Sequence, residues 1–455
     1  MDVKPHIFRQ YDIRGIVGED LSDAVAEAIG RAFGSEVRAR VGAGVPSVAV
    51  GRDNRPSSPD LAEAVVRGLR ETGVDVVDVE TVPTPVLYHA TVRYEADGGI
   101  QITGSHNPPE YNGFKMLIGG QALYGEAIGR LRERIESGTF ESGRGELARR
   151  DVLPAYAEEV IARFSVARPI KVVADCGNGT GSLVAERLLE GIGAEVVPLY
   201  CISDGTFPNH HPDPVVDENL RDLIGRVREE RADLGVAFDG DADRIGVVDE
   251  RGEIVRGDLV LLLLGLDLLE REGSGQKLVF DVKCSQVVPE VFAEAGGRPI
   301  MWKTGHSLIK KKMKEEGAPL AGELSGHICY GENHGFDDAL YAACRLVELA
   351  ARGSRPLSER MAAFPSYVST PEIRVEVPED RKFEIVHRAV ETFRASHDVI
   401  DVDGARVLFG DGWGLLRASN TQPVLVLRFE ARERERLEEI RGTMEDWLRE
   451  QGVDV

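Results

Sequence analysis

A single plan, repeated three times along the chain, constrains the fold most strongly. Each copy is an apolar strand ending in a polar loop, then a helix, a second strand, and a further strand ending in another polar loop. Strands that alternate with single helices form crossover units and mixed, largely parallel sheets. Ligands of such sheets bind at loops beyond the carboxyl ends of strands. The strands that open the three copies are predicted at residues 47–50, 170–174 and 277–280.

The residues after about 365 follow a different plan. They predict a strand at 372–377, a helix at 381–394, a strand at 424–429 and a terminal helix at 432–449, which together make a smaller α+β unit. The expected fold class is therefore α/β, with three similar mixed-sheet domains and a smaller C-terminal α+β domain. The expected domains are residues 1–152, 153–253, 254–365 and 366–455.

Length, charge and cysteine content exclude several classes of protein. A chain of 455 residues is too long for one hydrophobic core. The net charge of −22 argues against nucleic acid as a partner. The five cysteines are scattered without metal-ligand spacing, which indicates reduced thiols of the cytosol. The first residues form no apolar signal, and the longest apolar run, 259–269, is too short to cross a bilayer. We expect a soluble, cytoplasmic protein without a membrane partner.

The loop at residues 103–109 reads Thr-Gly-Ser-His-Asn-Pro-Pro and follows a short apolar strand at 99–102. Ser105 lies between a glycine and a histidine, and the two prolines stop any helix. We expect Ser105 on a tight, exposed loop at the end of a strand. Taken alone, such a loop is most simply an ordinary turn.

The loop at residues 239–244 carries three aspartates, Asp239, Asp241 and Asp243, followed by Arg244. If extended geometry continues from the preceding strand, the three carboxylates point the same way. Converging carboxylates repel one another unless a cation lies among them, and hard oxygen ligands favour Mg²⁺. A solvated acidic turn is the alternative. An EF-hand is disfavoured, because the residue at the twelfth loop position, Glu250, lies beyond an apolar run.

A Mg²⁺ site together with an exposed serine suggests phosphoryl transfer, with Ser105 as the covalent carrier. His106 is either a base or a residue that orients the loop. Lys115 could hold charge or act as an acid or base, although a lone lysine most often lies at the surface.

Two further loops offer groups that bind sugars and phosphates. The loop at 322–327 carries a carboxylate, a hydroxyl and an imidazole, which suit hydrogen bonds to sugar hydroxyls, although a capping turn is the default interpretation. The loop at 417–423 is rich in donors and predicts a phosphate-binding loop, with a hydrogen-bonded β-turn as the alternative. These candidates are Glu323, Ser325, His327, Arg417, Ser419, Asn420 and Thr421. Arg14, Lys283 and His306 lie at strand or loop ends and are candidates to line a cleft.

These motifs, in this order, resemble those of the α-D-phosphohexomutase family. The resemblance covers the whole chain and includes residues 11–15 (Tyr-Asp-Ile-Arg-Gly), the Ser105 loop, and residues 239–244, 322–327 and 417–421. Residues 207–214 and 302–307 match as well. One such motif would be weak support, whereas the set in family order is specific.

The resemblance implies four domains around a central cleft and reversible phosphoryl transfer between C1 and C6 of mannose and glucose phosphates. It implies that Ser105 carries the phosphate, that a 1,6-bisphosphosugar is the intermediate, and that Ser105 and the three aspartates hold Mg²⁺. It further implies hexose phosphates as the only partners of a monomeric enzyme, and glucose or mannose 1,6-bisphosphate as activator. Tyr11, Lys283, Glu323, Ser325 and His327 are then sugar contacts, and Arg417, Ser419, Asn420 and Thr421 hold the non-reacting phosphate. The acid/base candidates are Arg14, His106, Lys115, Arg244 and His306.

Two positions depart from the family pattern, and three other functions stay open. Ala242 replaces a common glycine, which is tolerated if its φ is negative and strains the loop otherwise. Gln422 replaces an acidic or hydroxyl residue. The alternatives are a phosphoglucosamine mutase, a Mg²⁺-dependent sugar phosphatase, and a non-catalytic sugar-phosphate sensor. The sensor ranks last, because Ser105 and all three aspartates are present.

Overall fold

The computed structural model describes residues 3–42, 44–420 and 422–455, which form two compact units. The first unit contains the described residues up to Val260 together with Ser325–Glu359. The second contains Leu261–Leu324 and Arg360–Val455. The helix Gly257–Glu272 and the short helix Leu357–Met361 each begin in the first unit and end in the second.

The first sheet of the first unit is mixed. Its central strand, Ser47–Arg52, pairs in parallel with Asp75–Thr81 on one side and with Gly98–Ile102 on the other. Tyr111–Ile118 returns antiparallel to Gly98–Ile102, so the loop at 103–110 is the turn between these two strands. The remaining strands are Ile13–Ile16, Gln121–Ala122 and Leu147–Arg149, and the helices of this part are Asp23–Val41, Ser58–Glu71, Thr84–Arg93 and Glu126–Ser137.

The second sheet of the first unit is also mixed. Lys171–Asp175 lies between two parallel neighbours, Glu195–Leu199 and Leu234–Phe238. Ile245–Asp249 then runs antiparallel to Leu234–Phe238, and the acidic loop is the turn between them. Ile254–Val255 completes the sheet, and this unit also contains the short strand Ile328–Tyr330. The α-helices of this part are Leu153–Ile161, Ala185–Gly191, Arg221–Glu230 and Ala339–Ala351. Short 3₁₀ segments in the first unit are Pro5–Ile7, Thr180–Leu183, Asp217–Leu220 and Gly331–Asn333.

The second unit contains a parallel sheet and an antiparallel one. Lys277–Asp281 pairs in parallel with Arg298–Trp302 and with Leu320–Gly322, and the helices here are Val287–Glu294 and His306–Glu316. The C-terminal sheet is antiparallel in all its pairings. Its strands are Val368–Ser369, Ile373–Glu376, Asp398–Ile400, Ala405–Leu408, Gly412–Ala418 and Val424–Ala431, and its helices are Lys382–Arg394 and Arg434–Glu450.

The predicted fold class is confirmed, and most predicted strands lie within a residue or two of their observed bounds. In the second copy of the repeated plan, a 3₁₀ turn precedes the predicted helix. Thr180–Leu183 forms a 3₁₀ turn, in which Ser182 Oγ donates to Gly179 O at 2.5 Å, and the α-helix begins only at Ala185. A serine that bonds the backbone locally competes with the first α-helical turn. Among the described residues, none of the helices has the length and apolar character to span a bilayer.

Candidate active site

The serine loop, residues 103–110, follows the buried strand Gly98–Ile102, and its first three residues, up to Ser105, are buried. The Ser105 residue is 2% exposed, so the prediction of an exposed serine is wrong. Its backbone adopts a left-handed φ of 49°, which costs a non-glycine residue free energy and persists only where the surroundings enforce it. The backbone N–H of Ser105 donates to Thr103 Oγ1 at 2.8 Å.

Arg55 holds the serine loop through hydrogen bonds to its backbone carbonyls. It follows the strand Ser47–Arg52, is 1% exposed, and pairs with Asp53 through Nε at 3.0 Å. Its guanidinium donates to the backbone carbonyls of Ser105 at 2.8 Å and Asn107 at 2.6 Å, and also to those of Pro108 and Tyr111. A Cβ at Gly104 would lie 2.4 Å from Arg55 Cζ, so the loop passes directly over the guanidinium.

The acidic loop is a tight turn, so the extended geometry predicted for it is wrong. Asp239 Oδ1 accepts from the backbone N–H of Asp243 at 3.0 Å and of Arg244 at 3.1 Å, which closes the turn. Ala242 has a φ of 58° and no exposed surface, so its side chain carries the left-handed strain that a glycine would avoid. The turn, rather than strand alternation, brings carboxylate oxygens of Asp239, Asp241 and Asp243 within 4.8 Å of one another.

The serine loop and the acidic loop contact each other directly. Ser105 Oγ donates to Asp239 Oδ2 at 3.0 Å. A Cβ at Gly240 would lie 2.4 Å from Ser105 O, so any side chain there would separate the two loops. Thr84, at the start of the helix Thr84–Arg93, donates from Oγ1 to Asp241 Oδ2 at 2.5 Å. The serine hydroxyl therefore lies at the edge of a fully buried three-carboxylate cluster.

Lys115 is the cation of this cluster. It lies on the strand Tyr111–Ile118, and its Nζ contacts Asp241 Oδ2 at 2.6 Å and Asp243 Oδ2. Burial alone would lower the pKa of Lys115, but the three aspartates raise it well above its ordinary value. Burial and the neighbouring carboxylates raise the pKa of Asp239. Burial opposes ionisation of Asp241 as well, but Lys115 and hydrogen bonds hold its pKa below the ordinary value.

The acidic cluster has the donor set of a magnesium site. All three side chains are fully buried, and Oδ1 of Asp241 and Oδ1 of Asp243 accept no hydrogen bond from the residues that the structure describes. Buried carboxylate oxygens without a donor are costly unless a cation reaches them. Hard, anionic oxygens within a few ångströms of one another fit Mg²⁺, so this buried cluster could bind a metal ion.

His106 and Arg14 lie beside the serine. His106 Nδ1 is 3.3 Å from Ser105 Oγ. Burial lowers the pKa of His106 well below its usual value, and the positive charges of Arg244, Arg14 and Lys115 lower it further, so the imidazole is neutral at physiological pH. Arg14 contacts Asn107 Oδ1 and Asp12 Oδ2, and half-buried Tyr11 precedes its strand.

Arg244 and His327 are joined in the same unit. At the start of the strand Ile245–Asp249, the backbone N–H of Ile245 donates to Gly326 O at 3.1 Å. This hydrogen bond holds Arg244 next to the segment that carries His327. Arg244 Nε donates to His327 Nε2 at 3.0 Å, so the imidazole proton is on Nδ1. His327 Nδ1 lies 3.3 Å from Asp337 Oδ2 and 3.7 Å from Asp243 Oδ1. Half-buried Ser325 precedes this pair along the chain.

The remaining predicted residues belong to the second unit. Glu323 Oε1 accepts from the backbone N–H of Gly305 at 2.6 Å, directly before His306 at the start of its helix. Lys283 pairs with Glu372 at 3.1 Å. Arg417 pairs through Nε with Asp403 at 3.1 Å, and Ser419 and Asn420 follow at the end of the strand Gly412–Ala418. Thr421 lies outside the described residues.

Sequence reasoning missed four residues that organise the site: Asp53, Arg55, Thr84 and Asp337. Asp53 and Arg55 lie in the loop after the first strand, the same type of position as the other loops, and could have been found by that analogy. Thr84 and Asp337 carry no local signal, since they reach the cluster only through the packing of distant segments.

Comparison with known proteins covers nearly the whole chain. Residues 5–142, 154–252 and 256–367 match the family models of phosphoglucomutase/phosphomannomutase alpha/beta/alpha domains I, II and III. Residues 372–446 match the model of the C-terminal domain of the same proteins.

Individual relatives are similar along their full length. A phosphomannomutase/phosphoglucomutase of Pseudomonas aeruginosa is 50% identical over 97% of this chain and 95% of its own. A phosphoglucomutase of Neisseria gonorrhoeae is 45% identical over 96% and 95%. The crystal structure of a phosphoglucomutase/phosphomannomutase family protein from Burkholderia thailandensis is 43% identical and covers 100% of this chain and 99% of its own, with a TM-score of 0.92. The resemblance noted from the motifs is confirmed, and the chain belongs to the phosphoglucomutase/phosphomannomutase family, the α-D-phosphohexomutases.

Proposed function

We propose that the protein is a phosphomannomutase/phosphoglucomutase that moves a phosphoryl group reversibly between C1 and C6 of mannose and glucose phosphates. The observation that carries the proposal is the 3.0 Å hydrogen bond from Ser105 Oγ to Asp239 within the buried cluster of three carboxylates. A hydroxyl in that position can carry a phosphoryl group whose charge a bound cation neutralises. The names of the full-length relatives support hexose phosphates as substrates.

The proposed cycle has two half-reactions. In the first, the phosphoryl group on Ser105 Oγ passes to the free hydroxyl of a hexose phosphate, the bond from Oγ to phosphorus breaks, and the hydroxyl proton goes to a base. The product is a 1,6-bisphosphosugar. In the second, the other phosphoryl group returns to Ser105 Oγ and the new hydroxyl takes up a proton. Glucose or mannose 1,6-bisphosphate is then both intermediate and activator.

The chain's residues divide into groups with distinct proposed roles. Asp239, Asp241 and Asp243, with the phosphate on Ser105, would hold Mg²⁺, which when bound neutralises charge on the transferred phosphoryl group. The rigid turn of the acidic loop and the contacts of Arg55 fix the distance between Ser105 and these carboxylates. The acid/base candidates are Arg14, His106, Lys115, Arg244 and His306.

The binding roles follow the chemistry of each side chain. Glu323, Ser325 and His327 would bind sugar hydroxyls, with Tyr11 and Lys283 as further sugar contacts. Arg417, Ser419, Asn420 and Thr421 would hold the non-reacting phosphate. Arg417 is buried, and its ion pair with Asp403 orients the guanidinium. A guanidinium oriented in this way would bind a phosphate through two parallel hydrogen bonds. We propose the same four domain boundaries as those given above from the sequence.

The decisive experiment is a phosphorus NMR time course. Purified protein, Mg²⁺ and a trace of glucose 1,6-bisphosphate are mixed with glucose 1-phosphate in one tube and mannose 1-phosphate in another. Growth of the 6-phosphate signal in both tubes is expected. Growth in one tube alone would narrow the substrate, inorganic phosphate would indicate a phosphatase, and no change would contradict the proposal in favour of an amino-sugar substrate or a binding role.

The control for the carrier role is Ser105→Ala beside Ser137→Ala, an exposed serine at the end of the helix Glu126–Ser137. Removing the nucleophile should lower turnover by a factor on the order of 10⁴ or more while leaving hexose-phosphate binding largely intact. The Ser137 variant should retain wild-type activity. Full activity of the Ser105 variant would show that the phosphate is carried elsewhere.

A further inference from the structure

Two cysteines of the first unit lie in contact although they are 25 residues apart in sequence. Cys176 directly follows the strand Lys171–Asp175, and Cys201 comes two residues after its parallel neighbour Glu195–Leu199. Their Sγ atoms are 2.7 Å apart. Both are free thiols, and a disulfide bond is about 2.0 Å long, so less than about 1 Å of movement separates the two sulfurs from a covalent bond.

The pair is asymmetric in the way that a redox-active pair requires. Cys176 is fully buried, whereas Cys201 is partly open to solvent. The hydrogen bond between the two sulfurs lowers the pKa of Cys201 and raises the pKa of Cys176. Cys201 is therefore the accessible, thiolate-prone partner, and Cys176 is positioned to resolve an oxidised Cys201. Cys284, Cys329 and Cys344 are all buried, and none of the three is in a disulfide bond.

We propose that Cys176 and Cys201 form a reversible disulfide when the protein meets a peroxide. The Cys201 thiolate attacks one peroxide oxygen, the O–O bond breaks, and a sulfenic acid forms as the leaving oxygen takes a proton to become water. The Cys176 sulfur then attacks the Cys201 sulfur, the S–O bond breaks, and the released hydroxide takes the Cys176 proton to give a second water. The two thiols together lose two electrons, and one molecule of hydrogen peroxide accepts them and is reduced to two waters.

The segment that carries Cys201 is connected to the serine loop. Tyr200 O accepts from Asn178 N at 2.9 Å, and Asn54 Nδ2 donates both to Asn178 O at 2.7 Å and to Ser203 Oγ at 2.9 Å. Asn54 precedes Arg55, whose guanidinium holds the carbonyl of Ser105. A Cβ at Gly205 would lie 2.2 Å from Asn54 O, so the segment cannot shift toward the serine loop without displacing Asn54. Oxidation at Cys201 should therefore displace Asn54 and Arg55, which position Ser105, and so slow turnover.

The test is peroxide titration followed by a non-reducing peptide map. After hydrogen peroxide treatment and denaturation, the thiols of the wild-type protein should fall from five to three, and the map should contain one peptide that joins Cys176 to Cys201. Dithiothreitol should restore all five. The variants Cys176→Ser and Cys201→Ser should lose the cross-link, whereas Cys344→Ala, a buried cysteine elsewhere, should keep it.

The outcomes separate the chemistry from its consequence for activity. Sulfinic acid at Cys201 without a cross-link, or a cross-link between other cysteines, would overturn the proposal, and the wild-type map alone suffices if a variant does not fold. The initial rate on glucose 1-phosphate should fall between roughly twofold and 100-fold on oxidation and recover on reduction. This second measurement rests on the proposed function, whereas the peptide map does not. An unchanged rate beside a confirmed cross-link would overturn the connection to the serine loop.

Discussion

The buried guanidinium of Arg55 and the backbone carbonyl of Ser105 are joined by a hydrogen bond of 2.8 Å. The same group also bonds the carbonyls of Asn107, Pro108 and Tyr111, so one side chain satisfies three acceptors of the loop and one at the start of the next strand. Backbone carbonyls buried without donors are costly, which explains how a serine with a φ of 49° is held in place. The position of the proposed nucleophile is therefore set by a residue 50 positions earlier in the chain.

Replacement of this residue should disturb geometry more than substrate binding. Arg55→Lys keeps the charge but cannot reproduce the planar fork that reaches four carbonyls. We expect kcat to fall by roughly 10- to 100-fold with a smaller change in KM, measured by steady-state kinetics on glucose 1-phosphate. Arg67→Lys, on an exposed helix face, is the matched control and should behave as wild type. If Arg55→Lys and Arg67→Lys lost stability and activity to the same extent, the positioning role of Arg55 would be contradicted.

Metal dependence should follow the acidic cluster. Chelation with EDTA should abolish turnover, and Mg²⁺ should restore it. Asp241→Asn removes one anionic ligand from a fully buried cluster, so the Mg²⁺ concentration for half-maximal activity should rise by roughly tenfold or more. The exposed Asp446→Asn serves as control. A variant at Asp241 with an unchanged Mg²⁺ requirement would place the metal elsewhere.

Ala242 tests the strain in the acidic turn. It is buried and has a φ of 58°. Ala242→Gly relieves the left-handed strain but gains chain entropy in the unfolded state, so the free energy of unfolding should change by less than about 1 kcal/mol. Ala242→Val adds a branched side chain in the same conformation and should destabilise by about 2 kcal/mol or more. Urea unfolding of wild type and the two variants measures these differences. Equal stability of the glycine and valine variants would contradict a strained turn.

Arg417 tests the proposed phosphate-binding loop. Arg417 is 7% exposed, and its guanidinium forms a 3.1 Å ion pair with Asp403. Arg417→Ala should raise KM for glucose 1-phosphate by roughly tenfold or more, because a charge-assisted contact contributes about 1.5–3 kcal/mol. Exposed Arg394→Ala is the control on the same C-terminal part. If KM and kcat were both unchanged, Arg417 would pair with Asp403 and have no role in binding phosphate.

Asp338 gives the stability a defined pH dependence. It caps the helix Ala339–Ala351, accepting from Tyr341 N at 2.9 Å and from the Tyr156 hydroxyl. Burial raises the pKa of Asp338 from 3.8 to about 6, although the hydrogen bonds it accepts act in the opposite direction. Since the folded state binds this proton more tightly than the unfolded state, the group's contribution is greatest below its unfolded pKa and is lost as the pH rises through about 6.

The corresponding comparison is wild type against Asp338→Asn. As the pH rises from 4.5 to 7, the free energy of unfolding of wild type relative to the variant should fall by about 2 kcal/mol. Urea unfolding at intervals across that range measures the difference. A difference that stays constant, or one that increases with pH, would contradict the raised pKa.

The fold class and the identity of the polar loops follow from local patterns in the sequence. Apolar strands such as residues 234–238 stand out because burial on both faces of a sheet requires a continuous hydrophobic run. The loops that follow them were predictable because the carboxyl end of a strand is where the apolar run stops. Local patterns of this kind depend on neighbours within a few residues, which a single sequence displays.

The assembly of the site, in contrast, depends on how distant segments pack together. The contact of Ser105 with Asp239, the grip of Arg55 on the serine loop and the bond from Thr84 to Asp241 join residues 50 to 157 positions apart. The burial of Ser105 and the left-handed Ala242 also arise from this packing, which overrides the exposed loop and extended strand that the local sequence favours. Contacts of this range depend on how whole sheets and helices pack, and no local periodicity of the chain encodes that packing.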